Sequence, residues 1–446
     1  MGSEWKEGKL GDYVDSCLGK MLDKNKNKGD FHPYLGNSNV RWGSFDLDDL
    51  AEMKFEPSEH SRYGIKAGDL IVCEGGEPGR CAIWEEDIPN MKIQKALHRI
   101  RTLKELDSEY LFYWFLYAGR TGLLEAYFTG TTIKHLTGKA LKELPIRVPS
   151  IERQKQVAQL MRGFDKKIKL NRQINQTLEQ MAQTLFKSWF VDFDPVIDNA
   201  LDAIANGQNI EIPESLAKRF EARKAVRESE GFEPLPADIR QLFPCEFEES
   251  ELGFVPKGWS VKAISDVAKV TSGKRPPIKS TEKTETETIP VWGGNGIKWY
   301  TNMHLFDDKY IITGRVGTLG TVYKVDGLSW ASDNALVVNP KENCFFDFIY
   351  QVLRDFDISS LNSGSTQPLV TQSALKNISV IVPNESELLK KYQVITECMA
   401  EKSQQIDKES IKLESLRDTL LPTLISGELR LDSPQGEALQ QAVSAE

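Results

Sequence analysis

The sequence has few of the residues that build covalent or metal-held frameworks. Six cysteines are spread over 446 residues without a CxxC pair, and the five histidines stand apart from one another. Neither a disulfide framework nor a zinc site is therefore indicated, and a reducing cytoplasm fits this cysteine usage best. No apolar run approaches the ~20 residues that span a bilayer, and the first residues lack a signal-peptide pattern. We expect a cytoplasmic protein without a membrane anchor.

The motifs of common catalytic sites are also missing. There is no GxxxxGK(S/T) phosphate loop, no HExxH zinc motif, no GxSxG nucleophile elbow and no Asn/Asp-Pro-Pro-aromatic motif of amino-methyltransferases. Acidic residues with a lysine between Asp46 and Lys54 have no counterpart in the second half of the chain, which argues against a nuclease site. We expect no catalytic residue, metal site or cofactor site in this chain.

The chain has fewer basic than acidic residues, but one segment accounts for the whole difference. The net charge is −9, and residues 192–256 alone hold fifteen acidic and six basic residues, so the rest of the chain is balanced. Six prolines fall in the same segment. We interpret residues 194–256 as an acidic, extended connector rather than a domain. Basic loops elsewhere remain able to meet phosphate groups.

Two long stretches have the periodicity of helices. Residues 151–193 contain one glycine and no proline, and an alternating four-and-three spacing of mostly apolar residues runs from Val157 to Trp189. The same register returns 238 positions later, in residues 384–426. Two helices of matched length favour an intramolecular coiled coil, although each stripe would also fit packing onto its own domain. Polar residues at seam positions are Asn171, Asn175 and Glu409.

The two halves of the sequence repeat each other over nearly every element. The correspondence begins with Trp5 to Lys20 against Trp259 to Lys274. Further matches are Val40 to Trp42 with Ile297 to Trp299, Gly76 to Gly79 with Gly317 to Gly320, and Gly130 to Pro149 with Gly364 to Pro383. Each copy has short strands broken by glycine loops and one compact helix, at Glu109 to Ala118 or at Phe346 to Asp355.

These observations predict an α+β protein with two repeated α/β globular domains separated by two long antiparallel helices. The predicted segments are a first domain at 1–149, a central helix at 150–193, the connector at 194–256, a second domain at 257–383, a C-terminal helix at 384–427 and a tail at 428–446.

Basic and hydroxyl residues recur in the loops of both copies. Arg, Lys and Gln side chains can read base edges, while Thr, Ser and the amides of glycine turns can contact phosphate. Any single one is as well explained by a solvated loop, but recurrence at matched positions favours a binding surface. The candidate DNA-binding residues are Lys20, Arg41, Arg80, Gly130, Thr132, Lys134, Lys274, Arg275, Lys298, Arg315, Ser365, Thr366 and Gln367.

The ends of the two long helices carry more large apolar residues than one helical seam can bury. Exposed apolar patches usually mark sites that bind other proteins. The candidate partner-binding residues are Leu185, Phe186, Trp189, Phe190, Leu420, Leu421 and Leu424.

Four short stretches of this sequence resemble the specificity subunits of Type I restriction-modification systems. The resemblance lies in LFKSWFVDFDP at Leu185 to Pro195, in FEESELG at Phe247 to Gly253, in PKGW at Pro256 to Trp259 and in SGELR at Ser426 to Arg430. It implies that the two domains are target recognition domains of a phage-defence complex, each reading one half of a split double-stranded DNA target, with the helices as the spacer.

The same resemblance implies the partners. A specificity subunit is a non-catalytic scaffold that places two methyltransferase subunits and, through them, the motor-nuclease subunits. S-adenosylmethionine, ATP and Mg would then be bound by the partners and not by this chain. Two other functions remain open from the residues alone: a coiled-coil adaptor that binds only proteins, and a self-contained DNA methyltransferase or nuclease.

Overall fold

The computed structural model describes residues 5–23, 27–86, 88–317, 319–364, 367–431 and 433. The chain divides into two compact units. The first unit consists of residues 1–172 and 407–446, and the second of residues 173–406. Each unit contains one globular module and a part of each long helix. We call residues 5–148 the first module and residues 259–383 the second module.

The first module consists mainly of short strands. In chain order they are β1 (Lys6–Lys9), β2 (Val14–Leu18), β3 (Asp30–Leu35), β4 (Val40–Arg41), β5 (Ser44–Phe45), β6 (Glu52–Phe55), β7 (Leu70–Cys73), β8 (Cys81–Ile83), β9 (Lys92–Ile93), β10 (Leu97–Thr102) and β11 (Pro145–Val148). Its helices are α1 (His60–Tyr63), α2 (Ser108–Arg120) and α3 (Gly138–Glu143). The compact helix predicted at 109–118 is therefore confirmed as α2.

A four-stranded antiparallel sheet, ordered β2-β10-β7-β8, forms the centre of the first module. Alternate residues of a strand point to opposite faces of a sheet. Both faces of this sheet are buried, because a hydrophobic core lies on each side. Leu70 and Val72 join the core that α2 covers, whereas Ile71 and Cys73 join a second core. A ribbon of β1 and β11, with Lys6 opposite Val148, brings the two ends of the module together.

A long helix and the connector follow the first module. The helix is α4 (Ile151–Phe190), and the connector contains α5 (Asp194–Ala205), α6 (Ala217–Arg227), α7 (Ala237–Arg240) and a hairpin of β12 (Phe247–Ser250) and β13 (Gly253–Pro256). The predicted helix at 150–193 is confirmed with an end three residues earlier.

The second module repeats the first. Its elements are β14 (Trp259–Ala263), α8 (Ile264–Val267), β15 (Ala268–Ser272), β16 (Ile289–Gly293), β17 (Gly296–Thr301), β18 (Tyr310–Gly314), β19 (Val322–Val325), β20 (Trp330–Ala331), β21 (Ala335–Pro340), α9 (Phe346–Asp355), α10 (Gln372–Lys376) and β22 (Ser379–Pro383), followed by α11 (Ser386–Ser426). The sheet order β15-β21-β18-β19 matches that of the first module, and β14 pairs with β22 as β1 pairs with β11. The predicted duplication is therefore confirmed.

Within the first unit, α4 and α11 form an antiparallel pair. Asp165 accepts a hydrogen bond from Arg417 at 2.7 Å, and Asn171, six residues further along α4, donates to Glu409 at 3.0 Å. Later residues of α4 thus meet earlier residues of α11. Asn171 is buried, so the polar seam position predicted from the heptad pattern holds an interhelical hydrogen bond that fixes the register.

The second unit contains the other half of the same helices. Asn175 donates to the carbonyl of Ser403 at 3.4 Å, and Trp189, near the end of α4, lies with its ring centroid 6.0 Å from that of Tyr392. The helices are antiparallel here too, as predicted. No helix in the described ranges has a stretch long and apolar enough to cross a membrane.

The connector is not extended along its whole length, because two of its helices pack together. Helices α5 and α6 pack through a small apolar core of Ile197, Ala200, Leu216 and Phe220. Three of the acidic residues in this segment, Asp194, Asp198 and Asp202, are paired with its arginines.

The best example of this pairing is Asp198, which accepts two hydrogen bonds from Arg223 at 2.9 and 2.7 Å. Asp202 accepts hydrogen bonds from Arg227 and Arg240. Burial raises the pKa of Asp202, but these two hydrogen bonds lower it below its usual value overall. Net charge counts cannot show such pairs, since they depend on which side chains meet in the fold.

Candidate nucleic-acid interface

Three loops of the second module meet at one end of its four-stranded sheet. They comprise residues 294–295, residues 315–317 with 319–321, and residues 367–369. The amide of Val370 donates to the carbonyl of Arg315 at 2.9 Å, and the amide of Gly317 donates to the carbonyl of Pro368 at 3.0 Å. These backbone bonds hold two of the loops side by side.

A groove of about 600 Å³ lies between these loops. Its lining includes Gly293, Gly294, Gly296 and Gly317, so few side chains cover the backbone there. The polar side chains that line it are Asn295, Lys298, Ser332, Asn334 and Gln367. Amide, hydroxyl and ammonium groups of this kind can bond to base edges and to phosphate oxygens.

The loops of the first module are held by the same backbone hydrogen bonds, and we call this set of bonds the loop joint. Leu136 donates its amide proton to the carbonyl of Glu74 at 2.7 Å, and the amide of Glu74 donates to Ala96 at 2.8 Å. In the second module the amide of Arg315 donates to Asn334 at 2.9 Å, the equivalent bond. The sequence match between Gly130 to Pro149 and Gly364 to Pro383 therefore reflects a shared backbone arrangement.

Arg80 connects the loop that contains Asn37 to the loop between β7 and β8 in the first module. Its guanidinium donates to the carbonyl of Asn37 at 3.1 Å and to the carboxylate of Glu77 at 3.1 Å. Thr321 makes the corresponding contact in the second module, where its hydroxyl donates to the carbonyl of Gly294. The side chain of Arg80 is thus committed to holding a loop.

Lys20 was predicted to bind DNA, but its side chain is buried, with 3% of its surface exposed. Its ammonium group donates to the carbonyl of Lys54 at 2.9 Å and pairs with Glu59 at 2.5 Å. The prediction is corrected, because a lysine in this position has no accessible charge for phosphate.

The repeated Gly-Lys sequence has a structural cause instead. A Cβ atom on Gly19 would lie 2.4 Å from the carbonyl oxygen of Gln94, and one on Gly273 would lie 2.2 Å from that of Ser332. The glycines are required where two chain segments pass in close contact. Lys274, unlike Lys20, is exposed.

The sequence match of Val40 to Trp42 with Ile297 to Trp299 is not a structural match, because the two stretches lie on strands that do not correspond. Lys298 lies on β17, which pairs with β16 so that Pro290 is opposite Tyr300. The corresponding strand in the first module is β6, with Pro33 opposite Glu52. Arg41 lies on the separate hairpin of β4 and β5, where it pairs with Asp46 at 3.3 Å.

The remaining DNA-binding candidates differ in accessibility. Gly130, Thr132, Lys134, Arg275 and Gln367 are exposed, and Ser365 and Thr366 lie outside the described residues. Arg315 is half-buried, and its Nε has no hydrogen-bond partner among the described residues. Sequence reasoning missed Asn295, Ser332 and Asn334, because none of them is a basic loop residue that recurs in both copies.

Most of the candidate partner-binding residues are in the interior. Those that the structure buries are Phe186, Trp189, Phe190, Leu421 and Leu424, while Leu185 and Leu420 are partly buried. The prediction considered only the two-helix seam. Each helix end in fact enters the core of a module, which covers the residues that the seam leaves open.

A second groove, of about 460 Å³, lies on the surface of the second unit. It runs between α4, α11 and the connector, and its apolar lining includes Met181, Leu185, Leu235, Ile395 and Met399. Met181 is 49% exposed. Among the described residues, no group of three or more His, Cys, Asp or Glu side chains is placed to hold a metal ion.

His98 lies under the loop joint of the first module. Its Nε2 donates to the carbonyl of Leu136 at 2.9 Å, and only 1% of the residue is exposed. Burial lowers the pKa of His98. By strand register the corresponding residue of the second module is Leu336, which does not titrate.

We therefore expect acid to loosen the first module alone. A folded pKa below the unfolded value of about 6.5 gives stability that is complete above that pH and is lost as the pH falls below it. Hydrogen exchange at the Leu136 amide should lose protection between pH 7.5 and 5.5, after correction for intrinsic rates. The equivalent Val370 amide is the internal control, and His98→Leu should abolish the effect. Equal losses at both amides would contradict this assignment.

Comparison with known proteins identifies the family. The model described as "Type I restriction modification DNA specificity domain" matches residues 2–180 and 256–416, which include both modules. The HindI specificity subunit of Haemophilus influenzae is 27% identical, over 96% of this chain and 100% of its own length. The MjaIX specificity subunit of Methanocaldococcus jannaschii is 27% identical, over 73% of this chain and 70% of its own.

A solved structure agrees in fold. The crystal structure of the S subunit of a Type I restriction-modification system from M. genitalium has a TM-score of 0.56 and covers 94% of this chain and 96% of its own. Its sequence identity is 17%, so this likeness shows the fold. Together with the matched residues and the duplicated modules, these findings show that the chain belongs to the Type I restriction modification DNA specificity family and is a specificity subunit with two target recognition domains.

Proposed function

We propose that each module reads one half of a split double-stranded DNA target with the loops that meet at the end of its sheet. The observation that carries this proposal is the duplicated joint, in which Glu74 and Leu136 bond in one module as Arg315 and Val370 do in the other. Two equivalent loop clusters on one chain suit two separate recognition events. Loops on a rigid sheet are also where binding residues concentrate.

The groove of the second module suggests what it reads. Asn334 and Gln367 line it, and side-chain amides of this type can bond to N6 and N7 of adenine as a bidentate pair. The glycines that line the groove let the DNA backbone approach the protein backbone closely. We infer that the half-site read by the second module contains at least one adenine.

In this proposal the long helices set the number of unread bases between the two half-sites. Helix α4 is continuous over 40 residues and contributes to both units. The seam contacts of Asn171 and Asn175 fix the register of α4 against α11 within each unit. We infer that this fixed register makes the number of unread bases constant.

We place the docking site for a methyltransferase subunit in the apolar groove of the second unit. Met181, Ile395 and Met399 line it without closing it, and methionine adapts to varied apolar surfaces. This site replaces the buried aromatic residues as the candidate. Two methyltransferase subunits would supply the chemistry with S-adenosylmethionine, and motor-nuclease subunits with ATP and Mg would join through them, in the cytoplasm.

Mapping of methylated bases tests the function. In cells that contain this chain and its methyltransferase subunits, we expect one motif of two short specified sequences separated by unspecified bases. Removal of this chain should abolish the methylation, and the purified chain alone should methylate no DNA. A contiguous motif, or methylation by the chain alone, would contradict the proposal. An unchanged motif without the chain would favour a protein adaptor.

A further inference from the structure

Trp299, on β17 of the second module, holds two lysines against its ring. The ammonium nitrogen of Lys279 lies 4.2 Å from the ring centroid, and that of Lys298 lies 4.6 Å from it. Both lysines are exposed, and neither forms an ion pair within the part of the chain that the structure describes. An indole attracts a cation through its quadrupole but does not neutralise it. The structure therefore fixes two positive charges in place without an acidic partner.

These charges lie beside the groove of the second module. Strand β17 is at the edge of the sheet β17-β16-β20, and the loop 273–288 follows that edge through mutual backbone hydrogen bonds of Ser280 and Tyr300 at 3.0 and 2.8 Å. Lys279 is in this loop, whereas Lys298 itself lines the groove. The rim of the groove is consequently positive at one side.

Other charges of the loop fit the same pattern. Lys274 and Arg275 are exposed at its start, where Trp330 Nε1 donates to the carbonyl of Lys274 at 2.7 Å. The acidic residues of the loop all follow Ser280, and Glu287 accepts hydrogen bonds from two threonines of its own turn. Three of the four basic residues of the loop, Lys274, Arg275 and Lys279, therefore come before Ser280, and Lys283 follows it among the acidic residues.

The described residues of the first module do not contain this pair of lysines on one ring. At the position of Trp299, opposite Val291, the first module has Ala51, which bonds to Tyr34. Two cation–aromatic contacts involve β6, and each has a single lysine: Lys54 with the ring of Phe31 at 5.1 Å, and Lys20 with the ring of Phe55 at 5.0 Å. Among the described residues the two-lysine arrangement thus occurs in the second module, and the shared fold does not impose it.

We propose that Lys279 and Lys298, held by Trp299, bind the phosphate backbone of DNA beside the groove and position the second module on its half-site without reading bases. This inference rests on the proposed reading of DNA by that groove, and it adds Lys279 and Trp299 to the contact surface. Phosphate contacts set register and orientation, while base contacts set sequence. A lysine acts on phosphate as a point charge, so its loss weakens binding to every sequence alike.

The test uses the complex of this chain with its methyltransferase subunits and measures duplex binding over a range of KCl concentrations. Each phosphate contact contributes about 0.9 to the slope of log affinity against log salt concentration. Lys279→Ala should therefore reduce the slope by about 0.9, and the double variant with Lys298→Ala by about 1.8, with the methylated motif unchanged. Trp299→Leu should reduce affinity by freeing both lysines.

Lys341→Ala is the matched control. Lys341 is exposed and follows β21, whereas Asn334 of the groove precedes that strand, so the same charge is removed at the opposite end of the sheet. Its slope should equal that of the wild type. An unchanged slope for Lys279→Ala would overturn the inference, and so would an altered motif, which would show base reading. A wild-type complex with no preferred target would instead refute the proposed function.

Discussion

Replacement of Trp189 by alanine should destabilise the second unit rather than only release a partner subunit. Trp189 is 1% exposed and packs against Phe243 and Tyr392, with ring centroids at 5.3 and 6.0 Å. Truncation of a buried aromatic side chain costs about 3–5 kcal/mol. That is a large part of the roughly 5–15 kcal/mol that stabilises a typical domain. Denaturant unfolding followed by hydrogen exchange of β14 to β22 measures the loss.

Met181→Asp provides the contrasting variant. Met181 is half exposed on the rim of the apolar groove, so its replacement should change the free energy of unfolding by no more than about 0.5 kcal/mol. A carboxylate in an apolar contact is costly to bury, and co-purification with the methyltransferase subunits should fall. A Trp189→Ala protein with wild-type stability and weak assembly, or a Met181→Asp protein with normal assembly, would reverse the two roles.

The long helices could be predicted because their signal is local. The heptad stripe of α4 and α11 depends on residues three and four positions apart, and the polar seam residue Asn171 stands out against it. The duplication was equally visible, since matched glycine turns and strand sequences recur in order. Both features are properties of the sequence before any tertiary contact is known.

Features that depend on tertiary contacts could not be predicted in this way. Lys20 resembles a phosphate-binding residue until the fold brings Glu59 to it. The pairing of Asp198 with Arg223 joins α5 to α6, and the acidic composition gave no sign of it. The amide side chain of Asn334 reaches the groove only because β21 starts beside the loop that contains Gly317. In each case the decisive neighbour is distant in sequence.

Exchange of one module should replace one half of the DNA target and leave the other half unchanged. The structure favours such an exchange, because β1 and β11 bring residues 5 and 148 together at the start of α4. A module from another specificity subunit can therefore be joined at these two points without altering the helical seam. The second module has the same closure, with Trp259 opposite Pro383.

The expected effect is large, since a specific site is typically bound about 10³–10⁷ times more tightly than unrelated DNA. A hybrid with a foreign segment at 5–148 should lose the original bipartite motif and methylate a new one that keeps only the half read by the second module. The reciprocal hybrid, exchanged at 259–383, should keep the other half, and each hybrid thereby controls the other. The measurement is the methylated motif of each hybrid. If both halves changed in either hybrid, the two loop clusters would have to form one reading surface, and the duplicated joint at Glu74 and Arg315 would have no independent role in recognition.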